Sequence, residues 1–245
     1  MISGIRTRAE RLGYCTDIFW TREPDHSLAR LGAILRARGI TGIILGPLPE
    51  RQRMDDFPWA NFSAVAYGYM LESPHLHHVQ NNMYENMREI LARFGTCSFK
   101  RIGFITDRRA EDRLGRLSEA YFGLWQKDIS PRLRFPLLEV SSADDAGNIS
   151  TWVRKHRLDA VVSQVGYIVD IVRAETRPDG RRVAFAWLAS QTNTPDISGM
   201  APCHKTLGAV CLDMVATMIA HGERGIPAMP RSVLIPGVWR EGITL

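Results

Sequence analysis

Three histidines lie within four positions of one another, at His75, His77 and His78. Imidazole is a common zinc ligand, but a zinc site usually takes its other ligands from a second group, often cysteine or carboxylate. Cys203 and His204 could supply that group only if a distant part of the chain folded back. The favoured interpretation is therefore a polar loop that leads into a strand near His78. We expect no metal site.

Signatures of catalysis are missing from the sequence. It holds no GxSxG elbow, no Walker loop, no GxGxxG turn and no HExxH helix. The carboxylates that stand out are placed as helix-surface or helix-capping groups; they are Asp112, Glu119, Asp144 and Asp145. No acid–base couple and no activated nucleophile emerges from these residues. We predict a protein that is not an enzyme and that needs no cofactor.

Short apolar runs alternate with amphipathic stretches along most of the chain. The runs predict strands at residues 14–20, 41–45, 62–67, 101–106, 134–140, 160–163, 183–188 and 232–235. Three of the stretches between them place their apolar residues on one helical face, around residues 28–35, 83–94 and 207–218. Buried strands that alternate with such helices are typical of parallel sheets covered on both faces. The sequence therefore predicts an α/β protein, with room for two lobes.

The first predicted helix has no predicted strand before it. Ile2, Ile5, Ala9 and Leu12 share one face, and Gly13 closes the helix. In a doubly wound sheet such a helix connects two parallel strands. The first strand of the pattern follows this helix at residues 14–20 instead. We therefore expect the sheet of the first lobe to lack a strand.

Charge and cysteine usage exclude several classes of protein. Lys and Arg number 31 against 26 Asp and Glu, and the arginines are dispersed, which does not favour a nucleic-acid surface. No segment reaches the ~18 apolar residues of a membrane span, and the first residues do not resemble a secretory signal. The cysteines form no CxxC pair, and three sit in apolar contexts that predict buried thiols; these three are Cys15, Cys97 and Cys211. We expect a cytoplasmic protein.

A binding crevice is better supported than an active site. In parallel α/β sheets, ligands lie outside the carboxyl ends of the strands. The residues predicted there combine aromatic, amide, carboxylate and guanidinium groups: Trp20, Arg22, Gly46, Pro47, Tyr67, Gly68, Asp107, Gln164 and Trp187. Aromatic faces suit sugars or bases, and the polar groups can hold hydroxyls by hydrogen bonds. This mixture predicts a small polar ligand, sugar-like before nucleobase-like.

Several segments, in a collinear order, resemble the effector-binding domain of LacI/GalR-family transcriptional regulators. They are an Arg-Gly-x-x-Gly-Ile-Ile strand start, a Lys-Arg-Ile-Gly-Phe strand, an Asp-Ala-Val strand start, a Leu-Gly-x helix, a Gly-Ile-Pro segment and a closing strand; in this order they lie at 38–45, 94–105, 158–162, 207–209, 225–227 and 234–239. The resemblance covers nearly the whole chain. It implies the periplasmic-binding-protein-like type I fold, with two Rossmann-like lobes, an effector between them and a side-by-side homodimer.

The resemblance also implies a division of the chain and a further DNA-binding part. We expect an N-terminal lobe of residues 1–105 plus about 200–226, and a C-terminal lobe of 106–199 plus about 227–245. A full family member begins with a helix-turn-helix head, a hinge helix and the first strand of the first lobe. This sequence starts inside the helix that follows, so the first lobe is expected to be N-terminally truncated. Operator DNA would be bound through the head.

The predicted ligand site departs from the family pattern at three places. The arginine that often binds effector after Asp107 aligns nearest to Leu117, one position from Arg116. Pro202 replaces a frequent glutamine, and Gln164 replaces the first residue of a common Asn-Asp pair. The predicted ligand-binding residues are Arg22, Gly46, Tyr67, Asp107, Arg116, Gln164 and Trp187. The alternative functions are a solute-binding protein of a transport system, which shares the fold, and an enzyme on a similar scaffold.

Overall fold

The chain divides into two compact units that differ from the expected lobes at their boundaries. The computed structural model describes residues 1–21, 27–142, 145–190 and 196–245. The first unit is Met1–Asn81 with Cys203–Ile235, and the second is Asn82–Pro202 with Pro236–Leu245. The first change of unit therefore comes after Asn81, although we expected it near residue 106. The last comes after Ile235, although we expected it near 227.

The first unit has a parallel sheet between helices. Its described elements are α1 (Ile2–Leu12), α2 (Leu28–Ala37), β1 (Gly42–Leu45), β2 (Gln52–Arg53), β3 (Ser63–Tyr67), β4 (Leu71–Ser73), β5 (His77–Asn81), α8 (His204–Ala220) and β11 (Ser232–Ile235). The sheet order is β1-β3-β5-β11, with every pairing parallel, and β2 and β4 form a separate two-stranded sheet.

Alternation along β3 gives this sheet its two apolar faces. Ala64 and Ala66 belong to a cluster with Leu31 and Leu35 of α2, whereas Val65 belongs to a cluster with residues of α8. Successive side chains of a strand point to opposite faces, so one strand contributes to both cores. The Ser27 hydroxyl accepts the Arg30 N–H and caps the start of α2.

Two glycines bring α1 close to α8. A Cβ on Gly4 would lie 2.0 Å from the backbone oxygen of Lys205, and one on Gly208 would lie 2.3 Å from that of Met1. Arg8 Nε donates to Asp213 Oδ1 at 2.6 Å and links the same two helices. The α1 helix thus packs on a helix of its unit, and Gly13 ends it in the left-handed conformation, as predicted.

The strand predicted at residues 14–20 is wrong. The structure assigns no strand there, and Ile18 and Trp20 are 50% and 73% exposed. A strand needs a neighbour that pairs with its N–H and C=O groups. Among the described residues none pairs with this segment. The prediction that Cys15 is buried is wrong as well, because Cys15 lies in this exposed segment. Cys97 is also exposed, and Cys211 is buried as predicted.

The second unit has a larger sheet. Its described elements are α3 (Met83–Thr96), β6 (Ile102–Asp107), α4 (Arg108–Arg113), α5 (Leu117–Asp128), β7 (Leu138–Val140), α6 (Ala146–His156), β8 (Ala160–Ser163), α7 (Val169–Ala174), β9 (Ala184–Trp187), β10 (Gly199–Ala201) and β12 (Val238–Arg240). The sheet order is β12-β10-β9-β8-β6-β7, and only β12 runs antiparallel to its neighbour among these strands. No helix within the described ranges is long and apolar enough to cross a membrane.

Both faces of this sheet are covered, and its central strands are fully buried. Phe104 and Val162 pack with α3 and α5 on one face, and Ile105 and Val161 pack with α6 and α7 on the other. Burial on both faces explains why β8 and β9 are continuously apolar apart from Ser163. The predicted α/β class with parallel sheets is confirmed.

Some strand predictions differ from the structure. His77 begins β5, although a polar loop was favoured there. Only Leu138–Val140 of the predicted strand 134–140 is a strand, since a 3₁₀ turn at Pro131–Leu133 precedes it. The strand Ser232–Ile235 was expected in the second lobe and pairs with β5 of the first unit. The strand expected near His78 is thus present, and polar residues obscured only its bounds. Ser232–Ile235 lies in the first unit because of long-range pairing, which sequence periodicity does not report.

Candidate ligand-binding site

Three strands of the second unit end at the same level. In the register, Ser163 of β8 lies between Ile105 of β6 and Trp187 of β9. Asp107 ends β6, Gln164 follows β8, and Trp187 ends β9. The sequence therefore predicted correctly which strand ends carry these residues. We call this carboxyl-end group the Gln164 cluster: Thr106, Asp107, Glu111, Gln164, Tyr167 and Trp187.

Gln164 is the centre of the cluster. Its Nε2 donates to Thr106 Oγ1 at 2.7 Å and to Glu111 Oε1 at 2.9 Å. Its backbone oxygen accepts the indole N–H of Trp187 at 2.9 Å. Its Oε1 is buried and has no hydrogen-bond partner among the described residues. A buried acceptor without a partner costs about 1–3 kcal/mol, so a donor on a bound molecule would be favourable there.

Glu111 is a buried carboxyl group that the sequence analysis missed. It is 1% exposed and lies in α4, where its Oε2 also accepts the Glu119 N–H at 3.3 Å. Burial raises the pKa of Glu111 above its ordinary value, because the charged form is poorly solvated. The surrounding Arg-Arg-Ala-Glu-Asp-Arg run is typical of a solvated helix, so no local signal marks this residue.

Trp187 holds Gln164 in place and is itself buried. It is 8% exposed, and its indole lies against Gly166, where an added Cβ would meet the ring at 2.4 Å. The close approach requires glycine at position 166. Since both the ring and its N–H are engaged within the unit, Trp187 orients the Gln164 backbone.

Asp107 and Tyr167 are the solvent-accessible residues of the Gln164 cluster. Asp107 Oδ1 accepts the Ala110 N–H at 3.0 Å and caps α4, while the side chain remains partly exposed. Tyr167 is 43% exposed, and the nearby charge of Asp107 adds to burial in raising the pKa of its phenol. An exposed ring beside a carboxylate suits a sugar face and its hydroxyls. Tyr167 follows a strand end by four residues, a position that the sequence analysis did not consider.

Arg116 is engaged with a neighbour. It adopts a left-handed conformation (φ 57°) before α5, and its guanidinium binds both carboxylate oxygens of Glu119, at 2.9 and 2.8 Å. This bidentate pair fixes its direction. Within the described residues its guanidinium makes no hydrogen bond to the Gln164 cluster; only its backbone N–H reaches the cluster, where it donates to the Glu111 backbone oxygen at 2.9 Å.

The first unit places Gly46 and Tyr67 at the ends of neighbouring strands. Gly46 follows β1, and no atom of the part of the chain that the structure describes lies within 4 Å of the position of a Cβ; Tyr67 ends β3. Asn81 Nδ2 donates to the Tyr67 hydroxyl at 3.2 Å, and burial raises the pKa of Tyr67. Asn81 Oδ1 is buried without a hydrogen-bond partner in the described part of the chain. Tyr67 and Asn81 therefore form a second polar group, which we call the Tyr67 pair.

The remaining residues of interest do not join these groups. Arg22 lies outside the described residues, and Trp20 is exposed in the segment that forms no strand. His77 Nδ1 accepts the Arg231 N–H at 2.9 Å, which gives this histidine a structural contact beside the β5–β11 pairing. Across the described ranges no group of three His, Cys, Asp or Glu side chains could hold a metal ion.

Solved structures with the same fold are transcriptional regulators. A putative LacI transcriptional regulator from Bacillus cereus subsp. cytotoxis NVH 391-98 is 17% identical, with a TM-score of 0.66 over 100% of this chain and 90% of that one. A periplasmic binding protein/LacI transcriptional regulator from Alkaliphilus metalliredigens QYMF, complexed with D-xylulofuranose, is 13% identical, with a TM-score of 0.68 over 100% and 92%.

The lac repressor dimer bound to operator and the anti-inducer ONPF is 13% identical, with a TM-score of 0.64 over 99% of this chain and 76% of the repressor chain. No protein-family model and no curated protein sequence matches the chain. At these identities the likeness establishes the fold and not the ligand. The chain has the periplasmic-binding-protein-like α/β fold of LacI-type regulators.

Proposed function

We propose that the chain is the effector-sensing core of a LacI-type transcriptional regulator and that it binds a small, sugar-like metabolite at the Gln164 cluster. The observation that carries the proposal is the buried Oε1 of Gln164, which has no partner in the described ranges and lies at the carboxyl end of a central parallel strand. That end of a parallel sheet is where α/β proteins bind ligands. A ligand hydroxyl would supply the missing donor.

The rest of the cluster fits the same class of ligand. Asp107 offers a carboxylate acceptor and Tyr167 an exposed ring, and both lie beside the end of β6 or β8. A set of acceptors near an exposed aromatic ring matches a polyhydroxylated molecule better than a nucleobase, which needs paired donors and acceptors on one edge. The sugar in the structurally similar D-xylulofuranose complex is of this class. Gly46 and Tyr67 stay predicted effector contacts.

The proposed partners of the chain are a second copy of itself and operator DNA. The chain would act in the cytoplasm as a homodimer, and operator DNA would be bound by a helix-turn-helix head outside these 245 residues. The operator-bound lac repressor dimer, which has the same fold, supports this arrangement. No step of bond making or breaking is assigned to the chain.

The test is a thermal-shift screen of the full chain against pentoses, hexoses and their polyols, with nucleosides as the contrasting set. A specific ligand at a hundredfold excess over Kd adds about 2.7 kcal/mol to the free energy of unfolding. We expect a sugar to raise the melting temperature and the Asp107→Ala/Gln164→Ala variant to lose that increment.

The readout is the rise in melting temperature on adding ligand, and not the melting temperature itself, because the double variant should melt lower even without ligand. It loses a helix cap and leaves Glu111 without its Gln164 partner. Asp128→Ala, at an exposed position of the same unit, is the matched control and should keep the full increment. A sugar increment of wild-type size in the double variant would contradict the site, and a response to nucleosides alone would contradict the ligand class.

A further inference from the structure

The second unit has another concave region at the opposite end of its sheet. A pocket of about 300 Å³ lies between the end of α6 and the segment before β9; its lining residues are Val153, Arg154, Arg157, Leu158, Thr176, Arg177, Pro178 and Val183. Leu158 precedes β8 and Val183 precedes β9, so the pocket lies at the amino ends of these strands. The Gln164 cluster lies at their carboxyl ends. The two regions are separate.

Three arginines line this pocket, and their charges are incompletely paired. Arg154 Nε lies 3.7 Å from Glu175 Oε2, and Arg177 Nε lies 3.5 Å from Asp179 Oδ1. Both contacts are ion pairs, and in both the distance between nitrogen and oxygen is longer than in a hydrogen bond. Arg157 makes no side-chain hydrogen bond or ion pair with any residue that the structure describes.

Arg177 is held rigidly in this arrangement. Its side chain is 12% exposed, and its guanidinium lies over the ring of Phe99, 5.3 Å from the centroid. Its Nε is buried without a hydrogen-bond partner among the described residues. A buried guanidinium N–H that lacks an acceptor is costly, and an anion would satisfy it.

The backbone of Arg157 is strained in a way that glycine would relieve. Arg157 ends α6 with φ 46° and ψ 51°, the left-handed conformation in which glycine is the usual residue. A residue with a Cβ pays about 1–2 kcal/mol there. Arg157 lines the pocket in this conformation, and an arginine here lowers the free energy of unfolding relative to a glycine.

Further basic residues are close in sequence to those that line the pocket. Lys155 lies two residues before Arg157, and Arg181 and Arg182 lie between the Arg177–Gly180 turn and β9. The pKa of His156 is lowered, first by burial and then by the neighbouring charges of Lys155 and Arg101. The three lining arginines outnumber the two carboxylates paired with them, Glu175 and Asp179, so an anion is favoured at the pocket.

We propose that this pocket binds a small phosphorylated metabolite, with its phosphate on the guanidinium groups of Arg157 and Arg177. Arginine forks match phosphate oxygens and form charge-assisted hydrogen bonds with them. Val153, Leu158 and Pro178 give an apolar wall for the rest of the molecule. The pocket volume lies at the lower end of the range for small-molecule sites, which limits the ligand to a compact one. This site is independent of the sugar-like effector at the Gln164 cluster.

The test is a calorimetric titration of the full chain with pyrophosphate at constant ionic strength, repeated with citrate. We expect saturable pyrophosphate binding and citrate binding at least about fivefold weaker, because citrate lacks the tetrahedral phosphate oxygens. Arg157→Gly should weaken pyrophosphate binding by about fivefold or more while the melting temperature without ligand stays level or rises. A variant that loses binding because it is unfolded is thereby excluded.

Arg177→Gln provides a second variant with the same expected loss, and Arg132→Gln, at an exposed position of the same unit, is the matched control. The Asp107→Ala/Gln164→Ala variant should bind pyrophosphate as the wild type does. Wild-type affinity in both Arg157→Gly and Arg177→Gln, or an equal loss in Arg132→Gln, would overturn the site. Citrate binding as tight as pyrophosphate binding would overturn the assignment to phosphate.

Discussion

Both units cover a parallel sheet with helices, but their strands differ in how completely they are buried. In the second unit β8 lies between β6 and β9, and all its residues are buried. In the first unit β1 is an edge strand, and three of its four residues are only partly buried. The difference matters for function, because a buried strand end fixes the side chains that follow it, whereas an edge leaves backbone groups and apolar residues accessible.

The largest expected difference between the units is in the cost of replacing a glycine that follows a strand, at Gly166 in the second unit and Gly46 in the first. Gly166→Ala should lower the free energy of unfolding by about 1–3 kcal/mol, because the new Cβ would overlap the Trp187 ring. Gly46→Ala meets open space in the first unit and should change it by less than about 0.5 kcal/mol. Urea denaturation of both variants is the measurement. Equal costs would show that the second unit is no more tightly packed at its strand ends.

A smaller effect concerns two carboxyl groups whose pKa values move in opposite directions. Burial raises the pKa of Glu111 in the folded second unit, so the folded chain holds this proton more tightly than the unfolded chain. Its contribution to the free energy of unfolding is therefore full below the ordinary carboxyl pKa of about 4.3 and is lost as the pH rises through the folded value. Glu111→Gln keeps an acceptor for Gln164 and should remove this loss.

Asp55 in the first unit is the control with the opposite sign. A hydrogen bond from Ser73 lowers the pKa of this exposed carboxyl group, so its contribution is present above the ordinary pKa and is lost as the pH falls. Melting temperatures of Glu111→Gln and Asp55→Asn, measured against pH, should therefore deviate from wild type in opposite directions. Deviations of the same sign would contradict the burial of Glu111 as the cause.

The smallest effect on stability belongs to the exposed segment at residues 14–20. Ile18→Ser/Trp20→Ser should change the free energy of unfolding by less than about 0.5 kcal/mol, because both side chains are largely exposed. The same change should reduce species larger than a dimer in light scattering after size exclusion, since exposed apolar strand-like segments promote association. Leu124→Ser, 51% exposed in the second unit, should have no such effect. An unchanged size distribution in the double variant would contradict this role.

The contrast between the units also explains what the sequence could predict. Strands β8 and β9 lie between neighbours, so their apolar runs at residues 160–163 and 183–188 were sufficient. The run at 14–20 is also mostly apolar but has no pairing partner among the described residues, and pairing is not encoded locally. For β5, the sequence predicted a strand near His78 but not its full extent, because His77 and Gln80 are polar yet buried by tertiary contacts.

The candidate site was predictable to the same extent. Asp107 and Gln164 were found because strand ends mark them, whatever the details of packing. Glu111 could not be found, since its burial results from the packing of α4 and not from its neighbours in the chain. Trp187 lies at the end of β9 as the sequence predicted, but its ring lies against Gly166, which does not fit the stacking on a ligand expected of an aromatic side chain there.

The central claim is that the amide oxygen of Gln164 accepts a hydrogen bond from the effector. The most direct measurement is calorimetric titration of the best sugar from the screen into wild type, Gln164→Met and Asp128→Ala. Methionine keeps the length of the side chain but removes the acceptor and the amide donor to Thr106 and Glu111, so the account predicts an affinity lower by about tenfold or more. Asp128→Ala should bind as the wild type does. A folded Gln164→Met variant that binds the sugar with wild-type affinity would contradict the account.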